Sequence, residues 1–120
     1  MNRSPSPAPA GSTGWQRGRL VGETPVPHSG EAFEALVNRP GLVLERIVSS
    51  ASPSAQPYLA VGDEWVLLAE GRATLEIEGL TVVLAGGDYL WLPAGTAHRV
   101  VATSEGATWL ALHLDLQAEP

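Results

Sequence analysis

From Leu42 onward, apolar and polar residues alternate in short runs, and glycine, proline and acidic residues separate the runs. A period of two is typical of strands that bury one face and leave the other more polar. Short strands joined by turns at near-even spacing favour an all-β antiparallel sandwich or barrel. The pattern predicts strands at 42–48, 64–69, 72–78, 81–84, 88–92, 97–103 and 107–116.

The segment before these strands follows a different period. Ser29 is a candidate N-cap, and Glu31 would lie in the first turn, near the positive end of the helix dipole. The apolar residues between 33 and 37 fall at helical spacing, and Pro40 ends the run. We therefore expect a short amphipathic helix over 31–37.

Composition divides the chain into three regions. Residues 1–14 are mainly Ser, Pro, Ala, Gly and Thr, which bury too little apolar surface to offset the entropy cost of ordering them. We expect residues 1–20 to form a disordered tail. Residues 21–41 would hold a loop and the short helix, and residues 42–120 would form the β-barrel.

Charge and cysteine content exclude several classes of function. The chain has no cysteine, so disulfides, thiolate metal sites and cysteine nucleophiles are excluded. Its net charge is -6 with only 7 Lys and Arg, which argues against a nucleic-acid partner. No apolar run reaches membrane-spanning length, and the first residues lack the apolar core of a signal peptide. We expect a cytoplasmic protein with no membrane partner.

The stretch from Gly87 to His98 resembles the second sequence motif of the cupins. That motif is a glycine, five residues, Pro-x-Gly, two residues and a histidine, and Gly87, Pro93, Gly95 and His98 stand at this spacing. The motif ends with an asparagine where this chain has Ala102. The resemblance implies an all-β fold, a cupin-type antiparallel β-barrel or jelly roll, here preceded by the predicted helix.

The first cupin motif is only half matched. Glu64 and Gly71 stand where the motif has its glutamate and glycine, but its His-x-His pair should fall within 57–60, which reads Pro-Tyr-Leu-Ala. The chain is similar to a subset of small single-domain cupins in which other residues replace this pair. The function of that subset is mostly unassigned.

The resemblance also implies a candidate metal site. Cupins typically hold one divalent ion, iron, manganese, nickel or zinc, with three imidazoles and one carboxylate. Glu64 and His98 are the matching ligands here. A hairpin about residues 105–106 would place His113 opposite His98, and the three side chains would make a reduced ligand set. A slip of one residue would turn His113 to the other face, and the alternative core face would then be Leu110, Leu112 and Leu114.

A pocket for a small molecule is the leading functional hypothesis, with Arg46, Tyr58, Glu64 and His98 as its candidate residues. Arg46 shares a strand face with Leu44 and Val48, so it would point into the barrel and bind a carboxylate together with His98. The alternative is an edge position with the guanidinium in solvent. His98 and Glu64 also qualify as a general acid–base pair, but that pair identifies no reaction.

Two other functions stay open, and whether the protein is an enzyme is undecided at this point. One is a metal-dependent enzyme of the dioxygenase or isomerase type, with Glu64, His98 and His113 as its ligands. The other is a structural dimer whose pocket is filled by its own side chains. If Glu64 points inward, several large apolar residues lie on the outer face of the same sheet, which predicts a homodimer through that face: Trp65, Leu67, Tyr89 and Trp91.

Overall fold

A computed structural model describes residues 14–59 and 61–115, with the backbone alone for Tyr58 and Leu59. The part of the tail at residues 1–13 lies outside the described residues. Within those ranges the secondary structure is entirely β, and no helix is long or apolar enough to cross a membrane. The strands are β1 (Glu31–Arg39), β2 (Leu42–Ser49), β3 (Tyr58–Leu59), β4 (Asp63–Glu70), β5 (Arg72–Ile77), β6 (Leu80–Ala85), β7 (Tyr89–Leu92), β8 (Ala97–Thr103) and β9 (Ala107–Leu114).

The strands form two antiparallel sheets. One sheet has five strands in the order β1-β2-β9-β4-β7, and the other has four in the order β3-β8-β5-β6. Alternate residues of strand β4 point between the sheets, as the period-two pattern requires. The core between them includes Leu68, Leu75, Leu92, Trp109 and Ala111. The predicted all-β antiparallel fold is confirmed.

The predicted helix over 31–37 is wrong, because this segment is strand β1. It pairs with β2 from Glu31↔Ser49 to Arg39↔Leu42, so the sheet begins well before the predicted boundary at residue 42. Phe33 and Val37 fit a helical period, whereas Phe33 and Ala35 fit a period of two, and pairing with β2 decides between them. The residue before the strand is anchored in the same way, since Gly30 N–H donates to Ser52 O at 2.8 Å.

The predicted hairpin between the last two strands is also wrong. β8 pairs with β5 in the four-stranded sheet, whereas β9 pairs with β2 and β4 in the five-stranded sheet. The turn at residues 104–106 crosses between the sheets: Ser104 N–H donates to Arg72 O at 3.0 Å, and Gly106 N–H donates to Ser49 O at 2.8 Å. The turn residues predicted a reversal correctly, but they carry no information about which strand lies beside the next one.

The outer face of the five-stranded sheet is apolar, as the alternation predicts. Cross-strand pairs on this face join Trp65 to both Trp91 and Leu112, and Leu67 to both Tyr89 and Leu110. The rings of Trp65 and Tyr89 have centroids 5.7 Å apart. Leu44 continues the face on β2 beside Leu112.

Candidate functional site

A cavity of about 210 Å³ lies between the two sheets. Most of its wall is apolar and comes from both sheets, including Phe33, Ile47, Leu75, Val100 and Trp109. Its ionisable groups are Glu31, Glu45, Glu64, His98, Arg99 and His113. A concave apolar space with a few polar groups is the usual form of a small-molecule site.

Glu64 and His113 are brought together by the pairing of β4 with β9. They stand directly opposite each other in this antiparallel ladder, so their side chains share the inner face. His113 Nδ1 lies 3.8 Å from Glu64 Oε2. The alternation along β4 fixes this orientation, because Glu64, Val66 and Leu68 are buried while the residues between them are less so.

Glu45 lies deeper in the same wall. It is on β2, is 1% exposed, and its Oε1 lies 2.7 Å from His113 Nε2. A carboxylate buried to this extent needs a charged or hydrogen-bonding partner, and the imidazole of His113 supplies it. His113 therefore lies between two carboxylates, Glu45 at one ring nitrogen and Glu64 at the other.

His98 reaches the cavity from the opposite sheet. The turn that precedes it is closed by Thr96 N–H donating to Pro93 O at 3.1 Å, with Gly95 at φ 83°. His98 Nδ1 is 2.9 Å from Thr96 O, and because a carbonyl oxygen only accepts, Nδ1 carries the proton. His98 Nε2 then faces Glu64 Oε1 at 3.5 Å.

These four side chains form one continuous series that we call the carboxylate–imidazole chain: Glu45, His113, Glu64 and His98. Three of them come from the five-stranded sheet and His98 comes from the four-stranded sheet. His98 and His113 thus meet in one cavity, although the predicted register that paired them is wrong. The two histidines line the cavity from opposite sheets, whereas the prediction had placed them opposite each other on paired strands.

Glu31 lines the cavity, and Ser54, Gln56 and Pro57 also contribute to the wall. Burial raises the pKa of its carboxyl, and the hydrogen bond that Oε2 accepts from Ser54 N–H at 3.2 Å acts in the opposite direction. The net effect is a pKa above the ordinary value. The carboxylate thus lies in a less polar environment than water.

Arg46 does not belong to this site, and its predicted inward orientation is wrong. Its guanidinium hydrogen-bonds Glu34 on the outer face of the sheet and donates to Arg19 O at 2.8 Å and Leu20 O at 3.3 Å. Both faces of β2 carry apolar residues, so alternation alone did not reveal which face is inside. The inner face is that of Glu45, Ile47 and Ser49.

The side chain of Tyr58, another predicted pocket residue, lies outside the part of the chain that the structure describes. Its backbone pairs with that of His98 in the four-stranded sheet. Sequence reasoning missed Glu45 and Glu31. The available signal for Glu45 was an acidic residue in a strand of apolar neighbours, and Glu31 was hidden by the helix prediction.

The predicted metal ligands line one cavity but do not fit a metal ion as they stand. Within residues 14–59 and 61–115, no three His, Asp or Glu side chains are arranged to hold one. His113 has Nε2 bonded to Glu45, and its Nδ1 is 3.8 Å from the Glu64 carboxylate. A site made of Glu64, His98 and His113 stays a prediction.

Comparison with known proteins connects this geometry to a family. A family model described as a cupin domain matches residues 51–113. A solved structure from Ralstonia eutropha JMP134, provisionally named a mannose-6-phosphate isomerase, is 40% identical with a TM-score of 0.75 and covers 83% of this chain and 98% of that one. No curated protein matches the chain.

More distant structures share the fold. An RmlC-like cupin from Desulfovibrio desulfuricans is 14% identical with a TM-score of 0.72, covering 83% of this chain and 96% of that chain. KdgF from a Halomonas species is 21% identical with a TM-score of 0.65, covering 71% and 80%. At this level of identity the likeness concerns architecture alone.

Proposed function

This chain belongs to the cupin domain family, and we propose that its barrel binds a small molecule against the carboxylate–imidazole chain. The observation that carries the proposal is the cavity of about 210 Å³ with these four side chains in its wall. An apolar cavity of about 150 Å³ is enough to bind benzene. The open volume therefore supports ligand binding over an interior filled by its own side chains.

Glu64 and His98 are the residues proposed to contact the ligand. Their facing atoms are 3.5 Å apart and come from different sheets. This distance exceeds the range of well-formed hydrogen bonds, about 2.7–3.2 Å. A donor group of a bound molecule can reach both acceptors, while on the other side of Glu64 the His113 ring lies 3.8 Å away and is itself bonded to Glu45.

The ligand-binding proposal is tested by screening small neutral and charged molecules by NMR, with the three histidines as reporters. His98 and His113 line the cavity, whereas His28 is exposed in the loop before β1 and serves as an internal control. A ligand in the cavity should shift the ring resonances of His98 and His113 in a saturable way and leave those of His28 unchanged. His98→Ala should weaken binding, and His28→Ala should not.

Two results would contradict this function. The first is a screen in which no compound shifts the two cavity histidines at millimolar concentration. The second is a set of ligands whose affinity is the same for the wild type and the His98→Ala variant. Circular dichroism of each variant would establish that the fold is retained before affinities are compared.

The alternative of a metal-dependent enzyme, dioxygenase- or isomerase-like, has a separate test. We expect protein purified without a His-tag to contain less than about a tenth of an equivalent of iron, manganese, nickel or zinc, since His113 is bonded to Glu45 through Nε2 and a reduced ligand set competes poorly for a metal. Near-stoichiometric metal that is lost in the His98→Ala variant and kept in the His28→Ala variant would favour the enzyme instead.

A further inference from the structure

The cavity holds more negative than positive groups. The carboxyl groups of Glu31, Glu45 and Glu64 line it, and the imidazoles of His98 and His113 oppose them. With the carboxylates ionised, three negative charges face two imidazoles, so an excess of one negative charge persists even when both rings are protonated. Neutral rings leave a larger excess.

The nearby guanidinium groups do not offset the excess of negative charge in the cavity. Arg99 lines the cavity, but its Nε and Nη2 each lie 2.8 Å from Glu76 Oε1, so its charge is matched by another carboxylate. Arg46 lies on the outer face, bound to Glu34. A carboxylate or phosphate group in this cavity would therefore meet no uncommitted guanidinium among the described residues of the wall.

The rest of the cavity wall is mostly apolar, which strengthens electrostatic interactions inside the cavity. Phe33, Leu75 and Trp109 contribute apolar surface from both sheets. In such surroundings charges interact more strongly than in water, so an anion would add repulsion to its desolvation cost. A cation gains attraction from the carboxylates, and aromatic faces add to it. Trp109 is held in position because its Nε1–H donates to Ser49 Oγ at 3.1 Å.

We infer that the ligand of this cavity is a small organic cation, an apolar body that carries one ammonium group, recognised by Glu64 and by the carboxylate excess behind it. This inference rests on the proposed function and names its ligand class. The apolar body would contact the wall that the two sheets form. The ammonium group would donate to Glu64 and to His98 Nε2.

Three probes of nearly equal size and shape test the sign of the charge: benzylamine, benzyl alcohol and benzoate. Affinities are measured by calorimetry and by the ring resonances of His98 and His113 at neutral pH. We expect benzylammonium to bind at least about tenfold more tightly than benzyl alcohol, and benzoate to give no saturable shift.

The Glu64→Gln variant separates charge recognition from loss of fold. It should abolish the preference for the amine over the alcohol, so that the ratio of the two affinities falls to about one, whatever change benzyl alcohol itself shows. Glu70→Gln, a matched change on the same strand at an exposed position, should leave both affinities unchanged. A Glu64→Gln protein that keeps the full amine preference would overturn the assignment.

The outcomes also separate this inference from the proposed function. Tighter binding of benzoate or benzyl alcohol than of benzylamine overturns the cation assignment and leaves ligand binding standing. If other compounds of the screen bind and benzylamine does not, the cation assignment is likewise overturned and ligand binding still stands. Failure of the whole screen, including the three probes, overturns both.

Discussion

Glu45 is the most deeply buried charged side chain of the site, 1% exposed and 2.7 Å from its partner His113. Its role was hidden in the sequence because the carboxylate and its imidazole are 68 residues apart. Only the pairing of β2 with β9 places these residues on adjacent strands. At the level of single residues, the structure thus adds a carboxylate behind the pair that the family motifs had marked.

Removing the Glu45 carboxylate should destabilise the folded protein. We expect Glu45→Ala to lower the free energy of unfolding by about 2–5 kcal/mol, because the change removes the hydrogen-bonding partner of the His113 ring and leaves a cavity. Chemical denaturation monitored by tryptophan fluorescence measures the change. Glu70→Ala, at an exposed position, should alter the stability by less than about 0.5 kcal/mol. Similar losses for both variants would contradict a paired role for Glu45.

Glu31 predicts a dependence of stability on pH. Its folded-state pKa is raised above the ordinary value of 4.5 by burial, which outweighs the opposing hydrogen bond from Ser54. Below that value the carboxyl is protonated in both the folded and the unfolded state. As pH rises through the window up to the folded pKa, the unfolded chain loses the proton first, and the stability contribution falls.

The Glu31→Gln variant tests this prediction. It should be more stable than the wild type at pH 7, by less than about 1 kcal/mol, since the side chain is only partly buried. The difference should shrink towards pH 4, below the ordinary pKa of 4.5, where the carboxyl is increasingly protonated in both the folded and the unfolded state. Thermal melts at the two pH values measure it, with Glu70→Gln as a control, and a wild type more stable than the variant at pH 7 would reverse the assigned sign.

At the scale of secondary-structure elements, the local sequence pattern predicted where the strands lie. It did not predict which strands are neighbours in a sheet. The predicted strand over 42–48 is observed as Leu42–Ser49, and that over 97–103 as Ala97–Thr103, because alternation and turn residues act over a few positions. The helix prediction over 31–37 failed because a strand edge on β2 was available to pair with it. This edge is a tertiary feature that no local window contains.

The site was predictable to the extent that family motifs marked it. Glu64 and His98 come from motif positions and do line the cavity. His113 was proposed from a wrong register and lies in the same cavity because β9 joins the other sheet. The placement of Arg46 failed for a different reason, since both faces of β2 are apolar enough to be buried.

The turn between β4 and β5 makes a prediction about Gly71. Gly71 has φ 101°, and a Cβ there would lie 2.7 Å from Ser104 Oγ and 3.0 Å from Ala107 Cα. Gly79, at φ 84°, has no atom within 4 Å of the same position. Both glycines tolerate a positive φ that alanine does not, but only Gly71 also faces close neighbours.

We therefore expect Gly71→Ala to destabilise the protein more than Gly79→Ala, by at least about 1 kcal/mol, with Gly79→Ala itself costing about 1–2 kcal/mol. Urea denaturation of both variants gives the comparison directly. Equal losses would mean that backbone strain alone, and not the approach to the β8–β9 turn, requires glycine at position 71.

At the scale of the whole molecule, the apolar outer face of the five-stranded sheet predicts a homodimer. Tyr89 and Trp91 are 64% and 50% exposed there, which is unusual for large aromatic side chains on a sheet of a monomeric protein. Light scattering coupled to size exclusion should give twice the chain mass at micromolar concentration. Trp91→Glu should shift the protein to monomer without unfolding it.

Val83→Glu is the matched control for the dimer. Val83 is 69% exposed on the outer face of the other sheet, so a charge there should leave the dimer intact. A wild-type protein that is monomeric throughout the micromolar range would contradict the interface. Dissociation by Val83→Glu and not by Trp91→Glu would place the interface on the other sheet.

The split origin of the carboxylate–imidazole chain has a mechanical consequence. His98 is carried by one layer of the sandwich and Glu64 by the other, and the layers are otherwise joined largely by apolar packing. A molecule bound to both residues would link the two sheets across the cavity. Amide hydrogen exchange should then slow in β8 as well as in β4 when the cavity is filled, because separation of the layers would first require the occupant to leave.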